Sequence, residues 1–154
     1  MFDDLRDLYQ EVILDHGQRP RHARRLESFD ATAKGDNPMC GDRLQLWVQY
    51  QPDGGIAKLG FEARGCAISV ASADLMAETV EGRSQAEVRA LFQAFTEMAR
   101  NGICQSCDEE LEPAMERLKP LSGVHEYPSR VKCATLPWHA LLAALDNAGE
   151  ATSE

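Results

Sequence analysis

The sequence predicts an α+β fold in which a small antiparallel three-stranded sheet carries about five helices. Two observations favour this class: strand-like alternation of apolar residues occupies the first half of the chain, and helical periodicity fills the part after Gly65. A chain of 154 residues has the length of one domain. We therefore predict a single domain over residues 1–148 and a flexible polar tail over residues 149–154.

The first element is an amphipathic helix, because apolar residues recur at helical spacing: Leu5, Leu8, Val12 and Ile13. Asp3 or Asp4 can cap its start and Gly17 can end it. Residues 18–25 then hold four arginines and a proline that cannot continue a helix. This connector is interpreted either as a solvated turn or as a docking surface for an acidic partner.

Three strands follow the connector. Apolar and polar residues alternate over residues 44–51 and again over residues 59–63. The turn sequence Pro52–Gly55 lies between these two runs, so the pattern predicts an antiparallel hairpin with one buried face. A weaker run over residues 28–33 supplies the third strand.

Two helices after the hairpin have clear boundaries. One begins after Cys66 and runs to about Val80. The other opens with the capping box of Ser84 and Glu87 and stops at Gly102.

Two further helices complete the chain. A short helix begins near Pro113. The last helix runs to about Leu145, and Pro137 is tolerated only near its first turn.

Composition limits the functional classes. The chain has 16 basic and 25 acidic residues, a net charge of −9 that disfavours nucleic acid as a partner. No run approaches the roughly 18 apolar residues of a membrane helix, and the N-terminus lacks the features of a signal peptide. We therefore expect a cytoplasmic protein that does not bind membranes.

Three of the five cysteines lie at the predicted ends of elements. Cys40 shares a glycine turn with Asp42, Cys66 lies at a helix start where the dipole favours a thiolate, and Cys133 lies near the start of the last helix. An odd number of scattered cysteines fits a disulfide framework poorly, so free thiols for metal or sulfur chemistry are expected. Spacing alone leaves open that each is a buried small hydrophobe.

The remaining cysteines, Cys104 and Cys107, form one C-x-x-C motif. Without a second C-x-x-C or a βαβ context, the motif favours an incidental surface pair over zinc binding or dithiol chemistry. The histidines are not spaced as a zinc-protease pair and are expected at the surface or at helix caps. His125 remains a weak ligand candidate because it is close to Cys133 in sequence.

These motifs together resemble the U-type iron–sulfur cluster assembly proteins, a family that includes IscU, SufU and the N-terminal part of NifU. The resemblance spans residues 5–145 and rests on four ordered segments: residues 8–21, 37–42 (NPMCGD), 65–69 (GCAIS) and 132–136 (KCATL). The chain is more similar to the SufU branch, because Lys132 occupies the position of the IscU histidine and residues 84–121 include the extra helical stretch of SufU. Cys104 and Cys107 depart from that pattern and leave a second metal or redox role open.

The resemblance implies a site formed by Cys40, Asp42, Cys66 and Cys133. Three thiolates and a carboxylate suit either a tetrahedral Zn²⁺ or a [2Fe-2S] cluster. The leading interpretation is a zinc-dependent sulfurtransferase in which Cys40 accepts persulfide sulfur from a SufS-like cysteine desulfurase and passes it towards apo iron–sulfur proteins or a downstream assembly complex. The alternatives are a scaffold that builds a [2Fe-2S] cluster and a purely structural zinc protein.

Overall fold

The computed structural model describes the backbone of residues 2–105 and 107–152 and the side chains of residues 9–105 and 107–151. Its helices are α1 (Phe2–Gln18), α2 (Ala67–Val80), α3 (Gln85–Asn101), α4 (Glu112–Leu118) and α5 (Pro128–Leu145). Its strands are β1 (Ala31–Asn37), β2 (Asp42–Tyr50), β3 (Ile56–Arg64) and β4 (Glu150–Thr152). Short 3₁₀ helices cover Glu109–Leu111 and Lys119–Glu126. The α+β class is confirmed.

The sheet has four strands in the order β3-β2-β1-β4, so the prediction of three was wrong. β4 pairs in parallel with β1 through Lys34 and Glu150, in part of the segment that we expected to be a flexible tail. Asn147 and Gly149, both with positive φ, turn the chain after α5 and bring residues 150–152 to the open edge of β1. Residues 153–154 lie outside the described residues.

β1 extends beyond the predicted run of residues 28–33 and reaches Asn37, which pairs with Asp42 on β2. Lys34, Gly35 and Asp36 have low strand propensity, but pairing with β2 overrides it. This extension brings the Cys40 turn to the end of the sheet. The predicted β2–β3 hairpin is confirmed.

Helices α2 and α5 pack against the sheet, and α3 packs against α5. Leu46 and Phe61 from the sheet are fully buried, and Phe95 of α3 stacks on Trp138 of α5 at 5.0 Å between ring centroids. Burial of this apolar surface is the main stabilising contribution to the fold.

The predicted starts of α2 after Cys66 and of α4 near Pro113 are confirmed. The capping box of α3 is present, and Gly102 ends that helix with φ of 87°. By contrast, α5 begins earlier than expected, at Pro128, so Pro137 lies inside the helix. Pro137 lacks the N–H that would bond the carbonyl of Cys133, but the long buried face of α5 keeps the helix continuous.

The arginine-rich connector is largely exposed, as the solvated interpretation expects, but its backbone is anchored to the protein. The amides of Arg21 and His22 each donate to Oδ1 of Asp74 at 2.8 Å, and Asp74 is fully buried on α2. His16 and His22 also contact Asp74 through their rings, which corrects their assignment to the surface or to helix caps. This cluster fixes α1 and the connector on α2.

The connector also covers the second face of the sheet. The Arg25 guanidinium lies 5.4 Å from the ring centroid of Trp47, which is 2% exposed although the alternation predicted an outward position. The first helix, α1, begins at Phe2, before the predicted cap at Asp3 or Asp4. The side chains of Asp3, Asp4, Leu5 and Leu8 lie outside the described residues. Within residues 2–105 and 107–152, none of the helices combines the length and apolar character that crossing a membrane requires.

Candidate metal centre

Three elements meet at one end of the sheet. The turn between β1 and β2 holds Cys40, and Asp42 is the first residue of β2. Cys66 is the N-cap of α2, and Cys133 lies in the second turn of α5. Segments far apart in sequence thus bring all four predicted site residues to the same region.

The ligand atoms of Cys40, Asp42 and Cys133 all lie within 4.8 Å of one another. Asp42 and Cys133 are fully buried, whereas Cys40 is partly exposed. Two sulfurs and one carboxylate oxygen at this separation are the kind of donors that Zn²⁺ accepts in tetrahedral sites. The donor set therefore fits a zinc ion, with one position left for a further ligand.

Cys66 approaches this group from the start of α2. Its amide donates to Asp42 Oδ1 at 2.9 Å, which fixes the orientation of the carboxylate. Its side chain interacts with Cys133 and with Arg130, although its sulfur is not part of the three-residue group. Cys66 thus lies beside the three-residue group.

Asn37 belongs to the site, but the sequence did not mark it as functional. It is 1% exposed, and its Nδ2 donates to Asp42 Oδ2 at 3.5 Å and to Cys133 Sγ at 3.8 Å. The Ser129 carbonyl also accepts from Cys133 Sγ at 3.5 Å. The sequence could have indicated a role for Asn37 only through its position, five residues before Asp42 near the end of a strand. Its contacts become visible only when β1 pairs with β2.

The electrostatics of the centre oppose thiolate formation in the absence of a cation. Burial raises the pKa of the Cys133 thiol, and its interactions with Asp42, Cys40 and Cys66 raise it further. Conversely, the charges of Cys66 and Cys133 raise the pKa of Arg130, a cation near both sulfurs. A divalent ion would offset this cost because it favours the deprotonated ligands.

Two glycines give this end of the fold its shape. Gly65 has φ of 139°, and a Cβ there would overlap Asp42 Oδ1. Gly41 has φ of 70° and open space around it. Gly65 therefore permits the close approach of Asp42 to the start of α2, and Gly41 provides the positive φ of the Cys40 turn.

Other candidates lie elsewhere or at the rim. Lys132 lines a groove of about 230 Å³ beside Cys40. His125 is not in the three-residue group; its Nδ1 contacts the Ser122 carbonyl at 2.8 Å. Cys104 and Cys107 form a disulfide, so our expectation of free thiols was wrong for this pair.

Comparison with known proteins gives a consistent set of relatives. Residues 8–134 match the family model described as the NifU-like N-terminal domain. The chain is 35% identical over 147 residues to the iron–sulfur cluster assembly scaffold protein IscU of Streptococcus pyogenes serotype M1, covering 96% of this chain and 88% of that protein. It is 34% identical over 139 residues to the zinc-dependent sulfurtransferase SufU of Bacillus subtilis (strain 168), covering 90% and 89%.

A solved structure extends the similarity to the fold. The crystal structure assigned to an iron–sulfur cluster assembly scaffold protein for the SUF system of Fervidobacterium islandicum AW-1 matches with a TM-score of 0.75 and 32% identity. The match covers 88% of this chain and 94% of that one.

Proposed function

The chain belongs to the family of NifU-like N-terminal domains, and on this premise we propose that it is an iron–sulfur cluster assembly protein that acts as a zinc-dependent sulfur acceptor. The observation that carries this proposal is the convergence of Cys40, Asp42 and Cys133 within 4.8 Å at a partly buried end of the fold. Cys66 is proposed as the fourth ligand, because it lies beside Cys133 and already orients Asp42. Lys132 occupies the position that histidine has in IscU-type proteins, and this difference supports the SufU-type activity.

Zinc, when bound, holds its cysteine ligands as thiolates at neutral pH and thereby supplies a ready nucleophile. Cys40 is the proposed acceptor. It is partly exposed on a turn with open space at Gly41, whereas Cys133 is fully buried on a helix. The groove beside Cys40 gives an incoming donor a route to the sulfur.

The proposed donor is the persulfide of a cysteine desulfurase. The Cys40 thiolate attacks the terminal sulfur, so that a new S–S bond forms on Cys40 while the donor S–S bond breaks. The donor cysteine leaves as a thiolate. Because one S–S bond replaces another, the step needs no added oxidant or reductant.

A second candidate is a scaffold that assembles a [2Fe-2S] cluster on the same residues for transfer to apo-proteins. The relatives support this candidate as well, because the chain is nearly equally identical to a protein named as a scaffold, at 35%, and to one named as a sulfurtransferase, at 34%. Three thiolates and a carboxylate could serve either role. Metal analysis and a visible spectrum of anaerobically purified protein separate them: colourless protein with zinc supports sulfur transfer, and iron with sulfide-to-iron absorption bands supports the scaffold.

The direct test is incubation with a cysteine desulfurase and cysteine, followed by alkylation and mass analysis. One added sulfur on Cys40 is expected. A sulfur acceptor should also stimulate the activity of the desulfurase, because it removes the persulfide sulfur. Cys40→Ala should abolish this stimulation, whereas Asp42→Ala should lower it only partly because the nucleophile remains. Persulfide on Cys66 or Cys133 with Cys40 unmodified would contradict the acceptor assignment.

A further inference from the structure

A second group of metal-ligand atoms lies outside the proposed sulfur-transfer centre. Glu97 is in the last turns of α3, which ends at Gly102, and the loop that follows carries Cys104 and Cys107. The two sulfurs and a carboxylate oxygen of Glu97 lie within 4.8 Å of one another. The positive φ of Gly102, 87°, reverses the chain so that the loop returns to α3.

We propose that Cys104, Cys107 and Glu97 form a second metal site, which binds a thiophilic divalent cation such as Zn²⁺ only when the disulfide is reduced. This role goes beyond sulfur acceptance and does not depend on it. The C-x-x-C spacing allows two thiolates to chelate one ion.

The surroundings provide room and a further donor. The three residues line a cavity of about 270 Å³ together with Gln93 and Asp108. Asp108 or a water molecule supplies the fourth ligand of a tetrahedral ion. The acidic residues that follow, Glu109 and Glu110, are exposed and add negative potential that attracts a cation.

The oxidation state of the pair controls the site. In the disulfide, neither sulfur is a thiolate, so neither is an effective ligand for zinc. A dithiol or phosphine reductant supplies two electrons, the S–S bond breaks, and two protons complete the two thiols while the reductant is oxidised. Zinc binding then releases these two protons. Metal binding and the disulfide are therefore mutually exclusive.

The test measures zinc stoichiometry of the full chain with a competing chromophoric chelator, before and after reduction by a phosphine under anaerobic conditions. Reduction should add one zinc ion per chain. The double variant Cys104→Ser/Cys107→Ser should show no increment yet retain the zinc of the Cys40 centre. An increment that persists in the double variant, or no increment in the reduced natural chain, would overturn the proposal.

The carboxylate has its own matched pair of variants. Glu97→Gln should lower the affinity for the additional zinc ion by about 10-fold or more, since even groups that merely orient a metal ligand contribute that much to affinity. Glu110→Gln removes an exposed charge outside the cavity lining, so it should lower the zinc affinity of this site much less than Glu97→Gln does. Equal affinities in the two variants would exclude Glu97 as a ligand and so contradict the three-residue site.

Cobalt(II) gives an independent readout. In the Cys133→Ser variant, which weakens the Cys40 centre, Co²⁺ added to the reduced chain should produce a thiolate-to-metal charge-transfer band. Replacing Cys104 and Cys107 by serine in the same variant should reduce that band. A band of the same intensity without these two cysteines would assign the ion to other residues and refute the second site.

Discussion

Replacing Gly65 by alanine should damage the metal centre much more than its effect on backbone strain would suggest. A Cβ at this position would overlap Asp42 Oδ1 and lie 2.9 Å from Asp42 Cα. The carboxylate must then move away from the amide of Cys66, with which it shares a 2.9 Å hydrogen bond. The same movement withdraws the carboxylate oxygen from Cys40 and Cys133.

The expected magnitude has two parts. An unfavourable φ for a residue with a side chain costs about 1–3 kcal/mol. Loss of a hydrogen bond to a charged acceptor adds about 1.5–3 kcal/mol. Gly82→Ala is the matched control, because Gly82 has φ of 87° with nothing within 4 Å of a Cβ, so only the strain applies there.

Two measurements test this reasoning. Urea unfolding should show Gly65→Ala to be less stable than Gly82→Ala by the hydrogen-bond contribution, about 1.5–3 kcal/mol. Competition with a chelator should show about 10–100-fold weaker zinc binding in Gly65→Ala, as for other losses of groups that orient ligands, and no change in Gly82→Ala. Equal zinc affinities in the two variants would refute the role assigned to Gly65.

Three further predictions concern buried and charged groups. Asp74→Ala leaves two connector amides without an acceptor and should lower the free energy of unfolding by about 2–6 kcal/mol in urea titrations, with a smaller loss for Asp74→Asn, which keeps one oxygen. Burial lowers the pKa of His139, so the unfolded chain binds this proton at higher pH than the folded chain. Stability should therefore fall as pH decreases below about 6.5, and it should fall less steeply in His139→Gln. Arg130→Gln removes a cation that favours the thiolate of Cys133, so the pH midpoint of zinc binding should rise, with a smaller change in Arg130→Lys; an unchanged midpoint in Arg130→Gln would contradict this role.

Local sequence signals predicted the elements whose boundaries depend on neighbouring residues. The capping box at Ser84 and the glycine at position 102 set the ends of α3, as predicted. The hairpin of β2 and β3 follows from alternation around a turn sequence. These features could be predicted because capping and turn chemistry act within a few residues.

Long-range pairing produced the differences from the prediction. β4 has three residues and exists because β1 offers an unpaired edge. Trp47 is buried because the connector folds over the second face of the sheet, which alternation along one strand cannot indicate. The connector itself is held by Asp74, which lies more than 50 positions away in sequence.

For the candidate centre, the sequence by itself determined the chemistry, and the tertiary structure decided the arrangement. Three motifs predicted the thiol and carboxylate donors, because residue type fixes which metals a side chain can bind. Only the packing of α5 against the end of the sheet brings Cys133 to Asp42, and only strand pairing brings Asn37 to both. The separation of ligands depends on contacts between distant segments, which residue spacing does not encode.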